Sequence, residues 1–232
     1  MNNKELQEHI LSTYNSLRLG MIILGALTPV VVVLWGWEWG IEWMPSISAY
    51  YFAPSDNQII YSVYPVRVLF GGILFAVGSF LYLYKGFTKW ENRLLNVAGL
   101  AAIGVAMCPM YAQAGYIPYS NRLHVGCAVT LFACIGLTAI FCHSATLQWV
   151  TDVKKRAMYK TIYCITGLMM IAFPLVGILM AYGTDAIANR VYWIEAAGIW
   201  AFSAYWITKS IELKQTELEL YAMQGRVDLK AA

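Results

Sequence analysis

Apolar residues run along this chain in long blocks that shorter polar intervals separate. The blocks fall at about Leu17 to Trp37, Val66 to Tyr84, Leu94 to Gln113, Leu123 to Leu147, Thr161 to Tyr182 and Val191 to Ser210. Each is close to the roughly 20 residues that a helix needs to cross a hydrocarbon core about 30 Å thick. None alternates between apolar and polar residues as a membrane barrel strand must, so the pattern predicts helices throughout. The expected fold is an all-α polytopic membrane protein, a six-helix transmembrane bundle.

The polar intervals add three predictions. Leu6, Ile10, Leu11 and Tyr14 recur at helical spacing among Lys4, Glu5, Glu8 and His9, which predicts an interfacial helix over residues 1–16. Residues 17–210 then form the six-span domain. Over residues 211–232, Ile211, Leu213, Leu218, Leu220 and Tyr221 lie among Glu212, Lys214, Glu217 and Glu219, so an amphipathic tail is expected, with Gly225 ending it. The longest polar interval is Met44 to Phe70. Pro45 and Pro54 argue against a helix between them, and Ser46, Ser48, Ser55, Asp56 and Asn57 favour turns, so residues 38–65 are expected to fold over the bundle as a lid or plug. Trp35, Trp37, Trp39 and Trp43 interleave with Glu38 and Glu42 just before it, as an aromatic belt at the membrane surface or a cage for a cation.

Small residues mark where helices can approach closely, here Gly71, Gly72 and Gly78 in the second span against Gly99, Ala101, Ala102 and Gly104 in the third. Pro174 predicts a kink in the fifth. Composition agrees: 59% of residues are hydrophobic and 12% charged, against about 25% charged in soluble domains. All sixteen basic residues except Arg67, Arg122 and Arg190 fall on one side if both termini are cytoplasmic, which sets that orientation. The net charge of +3 therefore reflects topology, and the basic residues form no stripe that would bind nucleic acid. The N-terminus lacks the pattern of a cleaved signal, and neither terminus carries a lipidation motif. The chain is expected in a membrane as a multi-pass protein, the plasma or inner membrane if it is bacterial.

Cys108, Cys127, Cys134, Cys142 and Cys164 all fall in apolar blocks and imply neither disulfides nor a metal site, and no cofactor is expected. An ionisable residue inside a span costs roughly 2.5–3.5 kcal/mol at its centre and less near its ends, which singles out Glu195. It is a proton carrier, an acid or base, a partner for a substrate cation, or a structural partner for Arg67, Arg122, Arg190 or His124. The outer ends of spans two, four and six bring Arg67, His124 and Glu195 under Ser46, Ser48, Tyr50 and Tyr51. Such a set could bind a lipid headgroup, with Arg67 as the charge and the hydroxyls as donors. If Ser48 met His124 and Glu195, it could also do nucleophilic chemistry. No GxSxG, HExxH or HxxxH pattern is present.

Pro45, Ser46, Ile47 and Ser48 after a first span, Arg67 to Gly72 opening a second, NVAGLAAIGVA at Asn96 to Ala106 and LHVGCAVTLFACIG at Leu123 to Gly136 resemble the six-span Frag/DRAM/Sfk family. The resemblance implies a six-helix bundle with both ends in the cytosol, and carries over Ser48 and His124 as candidate site positions. The functional expectation is a membrane protein that binds a lipid or amphiphile at the outer mouth through Ser46, Ser48, Tyr50, Tyr51, Arg67, His124 and Glu195. The alternatives are a lipid-modifying enzyme using Ser48, His124 and Glu195, or a small transporter or channel. A second copy of the chain or another membrane protein is a further possible partner.

Overall fold

The apolar blocks fold as helices, and their polar flanks supply caps. A computed structural model describes residues 2–53, 64–108, 119–181 and 191–225. The turn residues Pro54, Ser55, Asp56 and Asn57, together with Asn121 and Arg190, lie outside what is described of the backbone or of side chains. The elements are α1 (Asn3–Glu38), a 3-10 helix (Ser48–Phe52), α2 (Pro65–Leu83), α3 (Lys89–Met107), α4 (Tyr119–Phe141), α5 (Ser144–Leu147), α6 (Val153–Ala181), α7 (Val191–Thr216) and α8 (Leu218–Met223). Asn2 caps α1 through the amides of Lys4 and Glu5, Thr88 caps α3 through Glu91, and Asp152 accepts from the amides of Lys154 and Lys155 at the start of α6. No strand occurs among the described residues.

Among the described residues, four segments are long and apolar enough to cross a membrane: Asn3–Glu38, Pro65–Leu83, Arg122–Leu147 and Val153–Met180. The two other long helices are more polar. The first turns of α3 carry Lys89, Glu91, Asn92 and Arg93, and α7 carries Glu195 with several Trp and Tyr residues. Helices α1, α2, α3, α4, α6 and α7 each lie against the next and α7 returns to α1, so the six longest helices close a ring.

Close backbone approach holds two of these seams. A Cβ on Gly78 would sit 2.7 Å from the Gly99 carbonyl oxygen, and one on Gly167 would sit 2.8 Å from that of Gly136, so glycine is required where α2 meets α3 and where α4 meets α6. Gly71 and Gly72, grouped with Gly78 in the sequence, face open space. Gly78→Ala is therefore expected to destabilise the fold by about 1–3 kcal/mol, because backbone cannot move aside as a side chain can. Gly71→Ala should be neutral or stabilising by up to about 1 kcal/mol. Comparing the two unfolding midpoints tests this, and equal values would refute it. The α1–α7 seam is polar instead. Tyr192, Trp200 and Ser203 donate to the α1 carbonyls of Pro29, Ala26 (3.1 Å) and Ile22 (3.3 Å).

Three expectations change. Residues 3–16 and the first apolar block form one continuous helix of 36 residues. A five-residue 3-10 helix forms where the prolines argued for a non-helical segment, and at its start Ser46 Oγ accepts the Ala49 amide at 3.1 Å. The tail also divides, with α7 carrying it as far as Thr216 and α8 taking it up at Leu218. Glu217 takes a left-handed φ of 49°, and α8 folds back so that Glu219 meets Arg18 on α1. Gly225, at φ +67°, follows α8 as expected of a stop.

Candidate functional site

The segment after α1 plugs one end of the ring. Ile47, Tyr50 and Ala53 are buried in an apolar cluster with Val32, Val66 and Phe70. Three backbone-amide hydrogen bonds help to hold the plug. Tyr192 donates its amide to the Pro45 carbonyl at 2.8 Å, the Met44 amide donates to the Tyr50 hydroxyl at 3.3 Å, and the Ile47 amide donates to Glu195 Oε2 at 2.7 Å. Burial pushes the Tyr50 phenol above its ordinary range, so it stays protonated. Its ring fills the space beside Gly36, where an added Cβ would come within 2.9 Å of it.

Under the plug lies a cavity of about 340 Å³, toward the low end of the roughly 300–1,000 Å³ usual for small-molecule sites. Its walls are aliphatic and aromatic, including Phe70, Leu74, Leu131, Phe132 and Phe202. Ser46, Ser48, His124 and Glu195 line it together with Thr28. His124 is buried and holds two contacts, Nδ1 to the Cys108 carbonyl oxygen at 2.8 Å and Nε2 to Ser48 Oγ at 3.0 Å. A carbonyl only accepts, so Nδ1 carries the proton. In the neutral ring Nε2 then accepts from the Ser48 hydroxyl.

Four of the seven candidate residues therefore meet at the cavity and three do not. Arg67 does not line it. Its guanidinium lies 5.0, 4.5 and 4.4 Å from the ring centres of Tyr51, Phe52 and Tyr64, a cation–π stack that keeps Tyr51 outside the cavity as well. Tyr50 braces the plug. Glu195 has no ion pair among the described residues, and it holds the Ile47 amide rather than His124. A Ser–His–Glu relay is thus not formed.

The sequence missed three features. The Cys108 carbonyl orients His124, and its signal is the helix end before Pro109, where the last carbonyls of a helix lack intrahelical partners. Thr28 is a lone hydroxyl within the first apolar block. The third lies at the opposite end of the ring, where Arg18, Glu91, Lys209 and Glu212 are all buried. Lys209 Nζ donates to Thr146 Oγ1 at 2.9 Å and stands 3.9 Å from Glu91 Oε1, while Glu91 Oε2 accepts the Phe87 amide at 2.7 Å. The Tyr163 hydroxyl donates to Glu212. Lys209 and Glu212, three residues apart, share one face of α7, and that spacing was the available signal.

No family model, no curated protein and no solved structure matches this chain.

Proposed function

We propose that this chain is a multi-pass membrane protein whose six long helices all cross the bilayer, with both termini cytoplasmic, and that it binds a single-chain amphiphile inside the ring. The chain of the ligand lies in the apolar cavity, and its polar group meets Ser48, His124 and Glu195. The observation that carries this reading is the cavity itself, apolar along its walls and polar where the plug closes it. Two features support the membrane reading. Leu19, Ile23, Leu27, Val30 and Leu34 form an exposed apolar stripe along α1, as a lipid-facing helix requires. Helices α3 and α7, though more polar, each stand between two membrane-length neighbours in the ring and so share their depth. The resemblance to the Frag/DRAM/Sfk family agrees with this topology and is carried here as part of the proposal.

Filling the cavity tests the reading. Ala128 lines it, and Ala128→Phe should occupy the space of the bound chain. At about a hundredfold excess over Kd, an amphiphile should stabilise the unaltered protein by about 2.7 kcal/mol. The variant should lose that gain. Equal stabilisation of both proteins would overturn the proposal.

A second reading is favoured by one contact. The 3.0 Å approach of Ser48 Oγ to His124 Nε2 is that of a nucleophile to its base, which suits a lipid-modifying enzyme. It ranks second because the amides that could steady an oxyanion are occupied, that of Ile47 by Glu195 and that of Ala49 by Ser46.

A further inference from the structure

The charges at the polar end of the cavity are one-sided. Among the described residues that line it, Glu195 is the single acid and none is Lys or Arg. His124 is the one lining base, and both its nitrogens are engaged by Cys108 and Ser48. Arg67, the cation that the sequence placed under the plug, is turned onto Tyr51, Phe52 and Tyr64. An anionic headgroup entering here would face a carboxylate with no cation among the described lining residues to offset it. A protonated amine would face the Glu195 carboxylate, and the lone pairs of Ser48 Oγ remain available once its proton is given to His124.

We propose that the cavity selects single-chain amphiphiles with a primary ammonium headgroup, seated between Glu195 and Ser48 below the plug. This deepens the amphiphile reading and rests on it. The carboxylate supplies the charge, and Ser48 Oγ supplies an acceptor for one of the three N–H donors of an ammonium. A quaternary ammonium keeps the charge and lacks the donors. A long-chain alcohol keeps a donor and lacks the charge. A carboxylate or phosphate headgroup reverses the charge and is repelled.

The experiment is a competition series of equal chain length on the full chain in zwitterionic nanodiscs. It uses dodecylamine, dodecyltrimethylammonium, dodecanol, dodecanoate and dodecyl phosphate, each read as the difference from Ala128→Phe so that partition into lipid cancels. Dodecylamine should bind at least about tenfold more tightly than dodecanoate or dodecyl phosphate and more tightly than the quaternary analogue. Glu195→Gln should remove about tenfold or more of the amine affinity and lower it by more than it lowers the affinity for dodecanol. Equal or tighter binding of dodecanoate or dodecyl phosphate would overturn the headgroup assignment while leaving the cavity reading intact. Absence of any binding that depends on Ala128 would overturn both. Glu195 also holds the plug, so Glu195→Gln can weaken the fold. The comparison of amine with carboxylate on the unaltered chain then decides alone.

Discussion

Replacing Lys209 by Met is expected to destabilise the fold by about 3–5 kcal/mol, the range for removing one partner of a buried ion pair. The side chains of Lys209 and Glu91 are 2% and 1% exposed, so water cannot replace what the substitution removes. Glu91 would keep only the Phe87 amide, and Thr146 Oγ1 would lose its donor. The pair's 3.9 Å separation is long, and the mutual attraction is the smaller part of the effect. The larger part is the carboxylate left in an apolar interior. Lys209→Met combined with Glu91→Gln should therefore regain most of the loss, because neither charge then remains. Denaturant midpoints of the two single variants and the double variant give the coupling directly. An additive double variant would refute the pair.

The same cluster shows where sequence reading stops. Arg18, Lys209 and Glu91 stand at or beyond the ends of apolar blocks, and residues at block ends are normally counted as flanking charges that set orientation. Whether such a residue points outward or back into the ring depends on which helices close around it. That closure is a long-range property. Arg18 is paired by Glu219 only because Glu217 turns the chain and α8 returns to α1. No local pattern announces a left-handed glutamate.

The helices themselves were readable because their cause is local. Apolar runs without punctuation, Asn2, Thr88 and Asp152 at helix starts, and Gly225 past the last helix all act within a few residues. Small residues were half readable. Gly78 and Gly71 look alike in sequence, yet only Gly78 meets another backbone. For the site, alternating helix direction was enough to bring Ser48, His124 and Glu195 to one end of the ring. It could not tell which of the polar side chains there would face inward. Arg67 had three aromatic rings within reach, and it stacks on them instead of lining the cavity.

The contact between Ser48 and His124 carries the last expected result. A fluorophosphonate with a long alkyl chain should label Ser48: Oγ attacks phosphorus, its proton passes to His124 Nε2, and fluoride leaves. The Cys108 carbonyl at 2.8 Å from Nδ1 keeps the ring in the tautomer that can take that proton, as a carboxylate would in a triad but without its charge. His124→Ala should slow labelling by roughly 10²–10⁴-fold, the usual contribution of a positioned base. Ser48→Ala should abolish it. Ester turnover is a separate matter, since it needs donors for a developing oxyanion, each worth about 10²–10³ in rate. Here the Ile47 and Ala49 amides are already bonded to Glu195 and Ser46. Labelling without appreciable turnover is therefore the expected pattern, and it would place Ser48 as a reactive hydroxyl in a binding cavity. Brisk turnover of a single-chain ester, lost in Ser48→Ala, would instead make the enzyme reading the first one and require the plug to release those amides when substrate binds. Failure of the probe to label Ser48 above the Ser48→Ala background would remove the enzyme reading and leave the hydrogen bond as a structural tie between the plug and α4.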